Sequence, residues 1–274
     1  MSGSHIYPKK SLGQNFLKDP HYLGKIVDAA RIGPQDQVIE IGPGLGHLTR
    51  ALAETGCRLL LIELDDRLVP RLREEFSTRP SVQIVHADAL VFDYGGLSGA
   101  WKVVANLPYY ISTPIIQRLI AQRGRFTTLT LMLQKEVAER IAADPGGKEY
   151  GFLSVLVQYA AVPRLEFSVP AGAFTPRPKV DSTVLTLTMR ERPVTIAHDE
   201  ALFLRVIKAA FSQRRKTLRN SLGQLGYPGE VMSAVMDGTG IDLGRRAETL
   251  SVSEFCQLAN FLGSRNGENA GKPI

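Results

Sequence analysis

Three glycines and a nearby acid are spaced so that they could hold a nucleotide-like cofactor. The segment "VIEIGPGLGHLTR" predicts a strand, a turn and a helix start, with Glu40 just before Gly42, Gly44 and Gly46. Glycines let the backbone turn tightly and approach a ligand closely. The dinucleotide fingerprint needs a small residue where His47 stands, which argues against NAD, and we assign His47 no chemistry.

The charges around this turn select the kind of cofactor. Glu40 would repel a pyrophosphate but would attract an ammonium group. Glu63 ends the next predicted strand, where such folds bind ribose hydroxyls, and Asp88 ends the third, where it could accept from an adenine amino group. A ligand with ammonium, ribose and adenine but no phosphate is S-adenosylmethionine. A lone acid after a strand is more often a helix N-cap, as Asp65 or Asp66 would be, so the prediction depends on the conjunction.

The segment "VVANLPYYIST" leaves a predicted buried strand through residues suited to methylating an adenine amino group. That nitrogen is a poor nucleophile because its lone pair is delocalised into the ring. The Asn106 side-chain oxygen and the Leu107 carbonyl would draw it toward tetrahedral geometry. Pro108 would remove one donor and stiffen the loop, while Tyr109 would stack on the base. A plain turn with a packed aromatic ring is the simpler alternative.

The order of apolar patterns predicts the elements that must position these residues. Helices and strands alternate from "HYLGKIVDAARI" to "TTLTLMLQ", which implies an α/β fold with a mostly parallel sheet covered on both faces. "VPRLEFSV" and "STVLTLTMR" predict strands without a helix between them, hence an antiparallel edge. We expect a Rossmann-like S-adenosylmethionine-dependent methyltransferase domain over 1–192, a small all-α RNA-binding domain over 193–265 and a tail over 266–274.

Composition narrows the protein class. The 274-residue chain is 44% hydrophobic, which excludes disorder throughout and supports real cores. A net charge of +6 favours polyanionic partners such as nucleic acid. Cys57 and Cys256 lie far apart without clustered histidines, so we expect buried thiols and neither a disulfide framework nor a metal site. No segment predicts a secretory signal or a membrane span, so we expect a cytoplasmic protein.

A run of cations predicts the surface that contacts RNA. Residues 201–220 contain six cations and no acid, which matches phosphate contacts better than it matches an ordinary solvated face. Residues 1–18 share the basic bias, and "DPGGKEYG" predicts either a mobile loop beside the active site or an ordinary surface loop. The six cations are Arg205, Lys208, Arg214, Arg215, Lys216 and Arg219.

Six segments carry a resemblance to a known family. They are "LGQNFL", "EIGPGLGHLT", "ADAL", "ANLPYYIST", "FTPRPKVDS" and "FSQRRKTLRNSL". Together they resemble the ribosomal RNA adenine dimethyltransferases over nearly the whole chain, and most closely the bacterial branch that modifies 16S rRNA. The resemblance implies transfer of methyl groups from S-adenosylmethionine to N6 of two adjacent adenines near the 3′ end of 16S rRNA, in the 30S subunit or its precursor. We expect a monomer without a bound metal.

The same resemblance implies roles for individual residues. Asn15 and Leu17 would line the methionine end of the cofactor, and Asn106 would contact both the cofactor and the target base. Tyr109 and Phe174 would sandwich a flipped adenine, with plain packing as the alternative for each. The complete candidate cofactor site comprises Gln14, Asn15, Leu17, Glu40, Gly42, Gly44, Gly46, Glu63, Asp88, Ala89 and Asn106.

Two other functions are compatible with the same sequence features. The chain could be a non-catalytic assembly factor or transcription-factor relative, in which the fold persists without turnover. It could also be one of the related 23S rRNA methyltransferases that confer macrolide resistance. The intact segment from Asn106 to Tyr109 favours an enzyme. "FTPRPKVDS" and residues 211–222 favour the 16S branch.

Overall fold

The computed structural model describes Lys9 and residues 12–269. The remaining residues of the basic N-terminal segment and the tail beyond residue 269 lie outside the described part. The described strands are β1 (Phe16–Leu17), β2 (Gln37–Ile41), β3 (Arg58–Glu63), β4 (Val82–His86), β5 (Trp101–Asn106), β6 (Phe126–Gln134), β7 (Ala161–Val169), β8 (Phe174–Thr175) and β9 (Ser182–Met189).

The described helices follow the alternation that the sequence predicts. They are α1 (Pro20–Ala30), α2 (His47–Ala53), α3 (Val69–Glu75), α4 (Ser112–Ala121), α5 (Lys135–Ala142), α6 (Phe152–Ala160), α7 (Glu200–Ala210), α8 (Leu218–Leu222), α9 (Gly229–Ser233), α10 (Val235–Thr239) and α11 (Val252–Asn269). The predicted tail therefore begins as the last turn of α11.

Seven strands form one sheet in the order β4-β3-β2-β5-β6-β9-β7. Strands β2 to β6 pair in parallel, and β9 pairs antiparallel with β6. The chain runs outward from β2 to β4 and then returns to the other side of β2 through β5. A Rossmann-like sheet with an antiparallel edge is thus confirmed, and the reversal of strand order places a crevice at the carboxyl ends of β2 and β5.

The central strands are apolar on both faces because helices cover both sides of the sheet. Val38 and Ile39 in β2 are fully buried, as are Val103 and Val104 in β5. Continuous apolar runs of this kind leave little room for polar side chains within the strands. Charged and amide groups therefore stand mainly where the strands end, which concentrates chemistry at one edge of the sheet.

The described residues divide into two compact units. The first comprises residues up to Ala138 together with Val162–Met189, and the second comprises Glu139–Ala161 together with the residues from Arg190 onward. The break at residue 190 lies close to the domain boundary predicted at 192. Helix α6 groups with the C-terminal helices, because its apolar side chains are buried against α7 and α11.

The loop over residues 144–151 is tied to other parts of the second unit. The Gly146 amide donates to the Glu248 carbonyl at 2.7 Å, and Arg214 donates to the carbonyl of Lys148. Tyr150 is 4% exposed and its ring packs edge-to-face on Phe211. Of the two alternatives predicted for "DPGGKEYG", these contacts favour an ordinary surface loop over a mobile loop beside the active site.

Three structural features bear on the expected class of protein. Cys57 and Cys256 are buried free thiols, as predicted. Among the described helices, none is long and apolar enough to cross a membrane. The described residues also contain no group of three or more histidine, cysteine or acidic side chains arranged to hold a metal ion.

Candidate active site

A cleft of about 780 Å³ opens at the carboxyl ends of β2, β3 and β5 in the first unit. The cleft brings together most of the residues that the sequence analysis selected. They are Gln14, Asn15, Gly42, Gly44, Glu63, Asp88, Ala89, Asn106, Leu107, Pro108 and Tyr109.

The glycine turn after β2 forms the floor of this cleft. Gly42 and Gly44 both have positive φ angles, at 68° and 59°. Residues other than glycine rarely adopt this backbone conformation. A Cβ atom added at Gly42 would meet no protein atom within 4 Å, so it would project into free space beside the cleft. A Cβ at Gly44 would lie 2.8 Å from the ring of Phe16. Packing against Phe16 therefore requires glycine at 44, while the backbone at 42 is open to the cleft.

The Glu63 carboxylate is held in a fixed orientation at the end of β3. Oε2 accepts from the Gly44 amide at 3.0 Å and Oε1 accepts from the Asp65 amide at 2.8 Å. Burial raises the pKa of Glu63, since the side chain is only 4% exposed, while these backbone hydrogen bonds act in the opposite direction. Each oxygen keeps one lone pair, so the carboxylate could accept two hydroxyl protons of a ribose.

Asp88 and Ala89 line the cleft from the turn that follows β4. One carboxylate oxygen of Asp88 accepts from the Leu90 amide at 2.8 Å, which fixes the side chain in a tight turn. The second oxygen can accept from a ligand amino group. Ala89 is 7% exposed and adds an apolar surface to the same cleft.

An N-terminal segment forms another wall of the cleft. Leu12, Gly13, Gln14 and Asn15 all line it. The Asn106 Nδ2 group donates to the Asn15 backbone carbonyl at 3.0 Å. This bond uses the nitrogen end of the Asn106 amide, and no donor among the described residues reaches the oxygen end. The amide is therefore oriented to present Oδ1 as an acceptor.

The loop from Asn106 to Tyr109 leaves β5 at the same edge. The Leu107 amide donates to the Met132 carbonyl of β6 at 3.3 Å, which extends the sheet by one residue. The Tyr109 hydroxyl lies 2.8 Å from the Ser182 hydroxyl of β9. Burial raises the pKa of Tyr109, so the phenol stays protonated at neutral pH. The ring is thus anchored at its hydroxyl end while it lines the cleft.

Two predicted cofactor residues lie beside this cleft and do not line it. Glu40 and Leu17 line a smaller adjoining pocket of about 370 Å³. Gly42 and Asn106 line both the pocket and the cleft. The two cavities therefore meet at the glycine turn and the exit loop.

Two further predicted residues serve packing. Gly46 precedes α2, where an added Cβ would lie 3.3 Å from Leu72. Phe174 is 4% exposed and packs in the core cluster beside its strand partner Leu17. Core packing, the alternative considered for Phe174, accounts for its position, and the ring does not line the cleft.

Sequence reasoning missed other parts of the site. Phe16 and Tyr110 line the cleft, and Tyr110 is 55% exposed there. Ser182 anchors Tyr109 from a strand that is 73 positions away in the chain. All three residues stood inside segments quoted for neighbouring residues or for the resemblance: Phe16 in "LGQNFL", Tyr110 in "ANLPYYIST" and Ser182 at the end of "FTPRPKVDS".

The six predicted RNA-binding cations all lie in the second unit and are all exposed. Arg205 and Lys208 share one face of α7, and the Lys208 ammonium lies 5.9 Å from the centre of the Phe152 ring. Exposure on adjacent short elements is what contacts with RNA phosphates require. The other four, in the turn after α7 and in α8, are Arg214, Arg215, Lys216 and Arg219.

Comparisons with known proteins agree with this geometry. The family described as "Ribosomal RNA adenine dimethylase" matches residues 7–264 of the chain. The chain is 48% identical to "Ribosomal RNA small subunit methyltransferase A" of Geobacter sulfurreducens, over 97% of this chain and 99% of that protein. It is 47% identical to the protein of the same name from Moorella thermoacetica, over 94% of this chain and 93% of the relative.

Solved structures extend the likeness to the fold. A dimethyladenosine transferase from Plasmodium falciparum superposes with a TM-score of 0.77 at 26% identity, covering 93% of this chain and 98% of the other. The 23S rRNA methyltransferase ErmE superposes with a TM-score of 0.70 at 27% identity, covering 91% of this chain and 100% of the other. These two solved proteins, a dimethyladenosine transferase and an rRNA methyltransferase, therefore share the fold of this chain over most of its length.

The buried Glu40 carboxyl generates a prediction about pH. Burial raises the pKa of Glu40 to about 8, with a further rise from the nearby Glu63 and partial opposition from the Thr49 hydroxyl, which donates at 2.7 Å. In the unfolded chain this pKa returns to 4.5. Between these values the folded state binds more protons than the unfolded state, so Glu40 lowers stability as pH rises.

We therefore expect Glu40→Gln to gain stability relative to wild type as pH rises from about 5.5 to about 7.5, by up to about 1.4 kcal/mol per pH unit. Urea unfolding of both proteins across this range measures the difference. Glu54→Gln, at an exposed carboxylate, is the control and should show a constant difference. A pH-independent difference for Glu40→Gln would mean that Glu40 is ionised in the folded protein.

Proposed function

The chain belongs to the ribosomal RNA adenine dimethylase family, and from this premise we propose that it converts two adjacent adenines near the 3′ end of 16S rRNA to N6,N6-dimethyladenosine. The observation that carries the proposal is the position of the loop from Asn106 to Tyr109. It lines the same cleft as Glu63 and Asp88, so one cavity holds both the acceptors for an adenine and the groups suited to a methyl donor.

S-adenosylmethionine is the proposed cofactor, and it supplies the methyl group. Glu63 accepts from the ribose hydroxyls through the lone pairs that its backbone donors leave free. Asp88 accepts from the adenine amino group of the cofactor, and Ala89 packs beside that ring. Gly42 allows close approach at the floor of the cleft.

The methionine end of the cofactor is proposed to lie toward the N-terminal segment. Gln14 and Asn15 close the wall of the cleft around it. Glu40 and Leu17 border the adjoining pocket, which suits the ammonium and the aliphatic part of the same ligand, because a bound ammonium would favour the ionised form of the Glu40 carboxyl.

The exit loop prepares the target adenine. Asn106 Oδ1 and the Leu107 carbonyl accept the two amino protons, which localises the nitrogen lone pair on the side facing the methyl donor. Tyr109 stacks on the base and is held by Ser182. No strong base is needed, because the ammonium formed on the base loses its proton readily. After the first transfer the monomethylated amine rotates and presents its remaining proton, so a second transfer follows.

The RNA is proposed to bind through the cations of the second unit, within the 30S subunit or its precursor. The proposed working unit is a cytoplasmic monomer in which the first unit carries the methyltransferase cleft and the second unit, which includes α6 and the residues from Arg190 onward, carries the RNA-binding cations. Identities of 47% and 48% to small-subunit enzymes against 27% to the 23S enzyme favour the 16S target. The acceptor loop argues against a non-catalytic relative, because such a protein has no use for oriented acceptors.

The target is tested with tritiated S-adenosylmethionine. The purified protein is incubated with 30S and 50S particles that lack the modification, and the labelled nucleotides are mapped. We expect label on two adjacent adenines near the 3′ end of 16S rRNA. Label on 23S rRNA would show that the protein is a 23S rRNA methyltransferase instead. The absence of label from both particles would support the non-catalytic alternative.

Asn106→Ala should abolish turnover without affecting the fold. The change removes one oriented acceptor, and loss of one such contact commonly lowers the rate about 100-fold or more. Single-turnover methylation of 30S particles measures the effect, with thermal unfolding as the check on stability. Gln83→Ala, an exposed amide on β4, is the control and should react at the wild-type rate. A near-wild-type rate for Asn106→Ala would remove Asn106 from the mechanism.

Glu63→Ala should weaken cofactor binding far more than RNA binding. The variant leaves the ribose hydroxyls without their acceptor and also releases the Gly44 amide, for a loss of about 10-fold or more in affinity. Calorimetric titration with S-adenosylmethionine gives the dissociation constant. Glu74→Ala, an exposed acid on α3, should bind as wild type does. An unchanged constant for Glu63→Ala would reduce Glu63 to an acid that only caps the turn.

Neutralising Arg214, Arg215 and Lys216 together should weaken RNA binding and flatten its salt dependence. Each lost phosphate contact lowers the slope of log affinity against log salt by roughly 0.7 to 0.9. Filter binding to 30S particles between low and moderate salt measures the slope. Equal slopes for this variant and a charge-matched control would show that the turn after α7 is only a solvated face. The control neutralises three exposed cations of the first unit, Arg71, Arg73 and Arg79.

A further inference from the structure

We propose that Asp65 is a positioning residue that joins two walls of the cofactor cleft and thereby sets its affinity for the methyl donor; the inference rests on the proposed function of that cleft. The sequence offers Asp65 as a helix N-cap. In the structure the N-cap of α3 is Leu68, and Asp65 Oδ1 accepts from the Arg67 amide at 3.2 Å in the turn before the helix, while the same carboxylate also has partners outside this turn. Its side chain is completely buried, and a buried carboxylate needs specific partners.

The backbone of Asp65 orients one wall. Its amide donates to Glu63 Oε1 at 2.8 Å, while the Gly44 amide donates to Oε2. These two donors fix the plane of the carboxylate that faces the cleft. Asp65 therefore contributes to the β3 side of the cleft through its main chain alone.

The side chain of Asp65 holds the other wall. Gln14 Nε2 donates to Asp65 Oδ2 at 3.0 Å, and the Lys9 ammonium lies 3.4 Å from Oδ1. The Lys9 amide in turn donates to Gln14 Oε1 at 2.8 Å. Lys9 and Gln14 are thus tied to the loop after β3, while the next residue after Gln14 is tied to Asn106 through the Asn15 carbonyl.

A second set of contacts shows that the bond to Gln14 is not required to neutralise Asp65. Arg67 donates from Nε at 2.9 Å and from Nη2 at 2.7 Å, so its guanidinium holds the carboxylate in a bidentate pair. This pairing, with help from Gln14, holds the pKa of Asp65 well below its usual range, so the carboxylate stays charged. A permanently charged acceptor aimed at a neutral amide is suited to fixing the position of that amide.

The two hydrogen bonds of the N-terminal segment therefore have different roles. The bond from Asn106 to Asn15 belongs to the acceptors of the target base, whereas the bond from Gln14 to Asp65 sets only the position of the cofactor wall. Loosening the second tie should therefore weaken cofactor binding and leave catalysis intact once the cofactor is saturating.

Asp65→Asn tests this division because it keeps the volume and removes the charged acceptor. We expect the dissociation constant for S-adenosylmethionine to rise about tenfold, with the rate at saturating cofactor within about twofold of wild type. Hydrogen exchange of residues 12–17 should become faster. Asp66→Asn is the matched control, since its carboxylate is 71% exposed and contacts Lys9 at 3.3 Å. It should leave the affinity and the exchange rates unchanged.

A polarity swap separates positioning from a general loss of stability. Gln14→Glu alone places like charges across the contact and should weaken cofactor binding as Asp65→Asn does. In the double variant Gln14→Glu/Asp65→Asn, the amide introduced at position 65 can donate to the carboxylate introduced at position 14, so the affinity should recover toward wild type. A double variant no tighter than the weaker single variant would overturn the proposal, as would wild-type affinity for Asp65→Asn. Failure of wild type itself to bind the cofactor would instead refute the proposed function.

Discussion

The hydrogen bond from the Asn106 amide to the Asn15 carbonyl is the interaction on which the arrangement of the site depends. An amide has a donating and an accepting end, and this bond uses the donating end. It therefore presents the oxygen to the cleft and, at the same time, holds the N-terminal segment over it. The proposed cofactor wall and the proposed base acceptor thus share this contact, while the bond from Gln14 to Asp65 holds the wall at a second point.

The sheet explains why such a contact forms at this edge. Strands buried on both faces accept little but apolar side chains, so the polar groups collect where β2, β3 and β5 end. Glu40 is the exception, since it lies inside β2 at 2% exposure with a raised pKa. A buried acid that opposes stability at neutral pH is more easily explained by ligand binding than by packing.

The sequence was sufficient for the elements with strong periodicity and for residues inside the glycine turn and the exit loop. Strand β5, for example, ends at Asn106, at the beginning of the loop that the sequence analysis placed after a buried strand. The sequence was insufficient where contacts between distant parts of the chain determine the position of a side chain. The aromatic character of Phe174 suited stacking, but pairing of β8 with β1 buries the ring. The link between Asp65 and Gln14 spans 51 positions, and local signals carry no information about such a pair.

The central claim is that one loop presents two oriented acceptors to the adenine amino group. The same loop leaves room for a methyl group beside that nitrogen. Mass spectrometry of nucleosides from a completed reaction on 30S particles, with excess S-adenosylmethionine, tests it most directly. The account predicts N6,N6-dimethyladenosine as the end product, with the monomethyl form only as a transient. Accumulation of monomethyladenosine alone with active enzyme would contradict it, because the pocket would then be too tight for the second transfer.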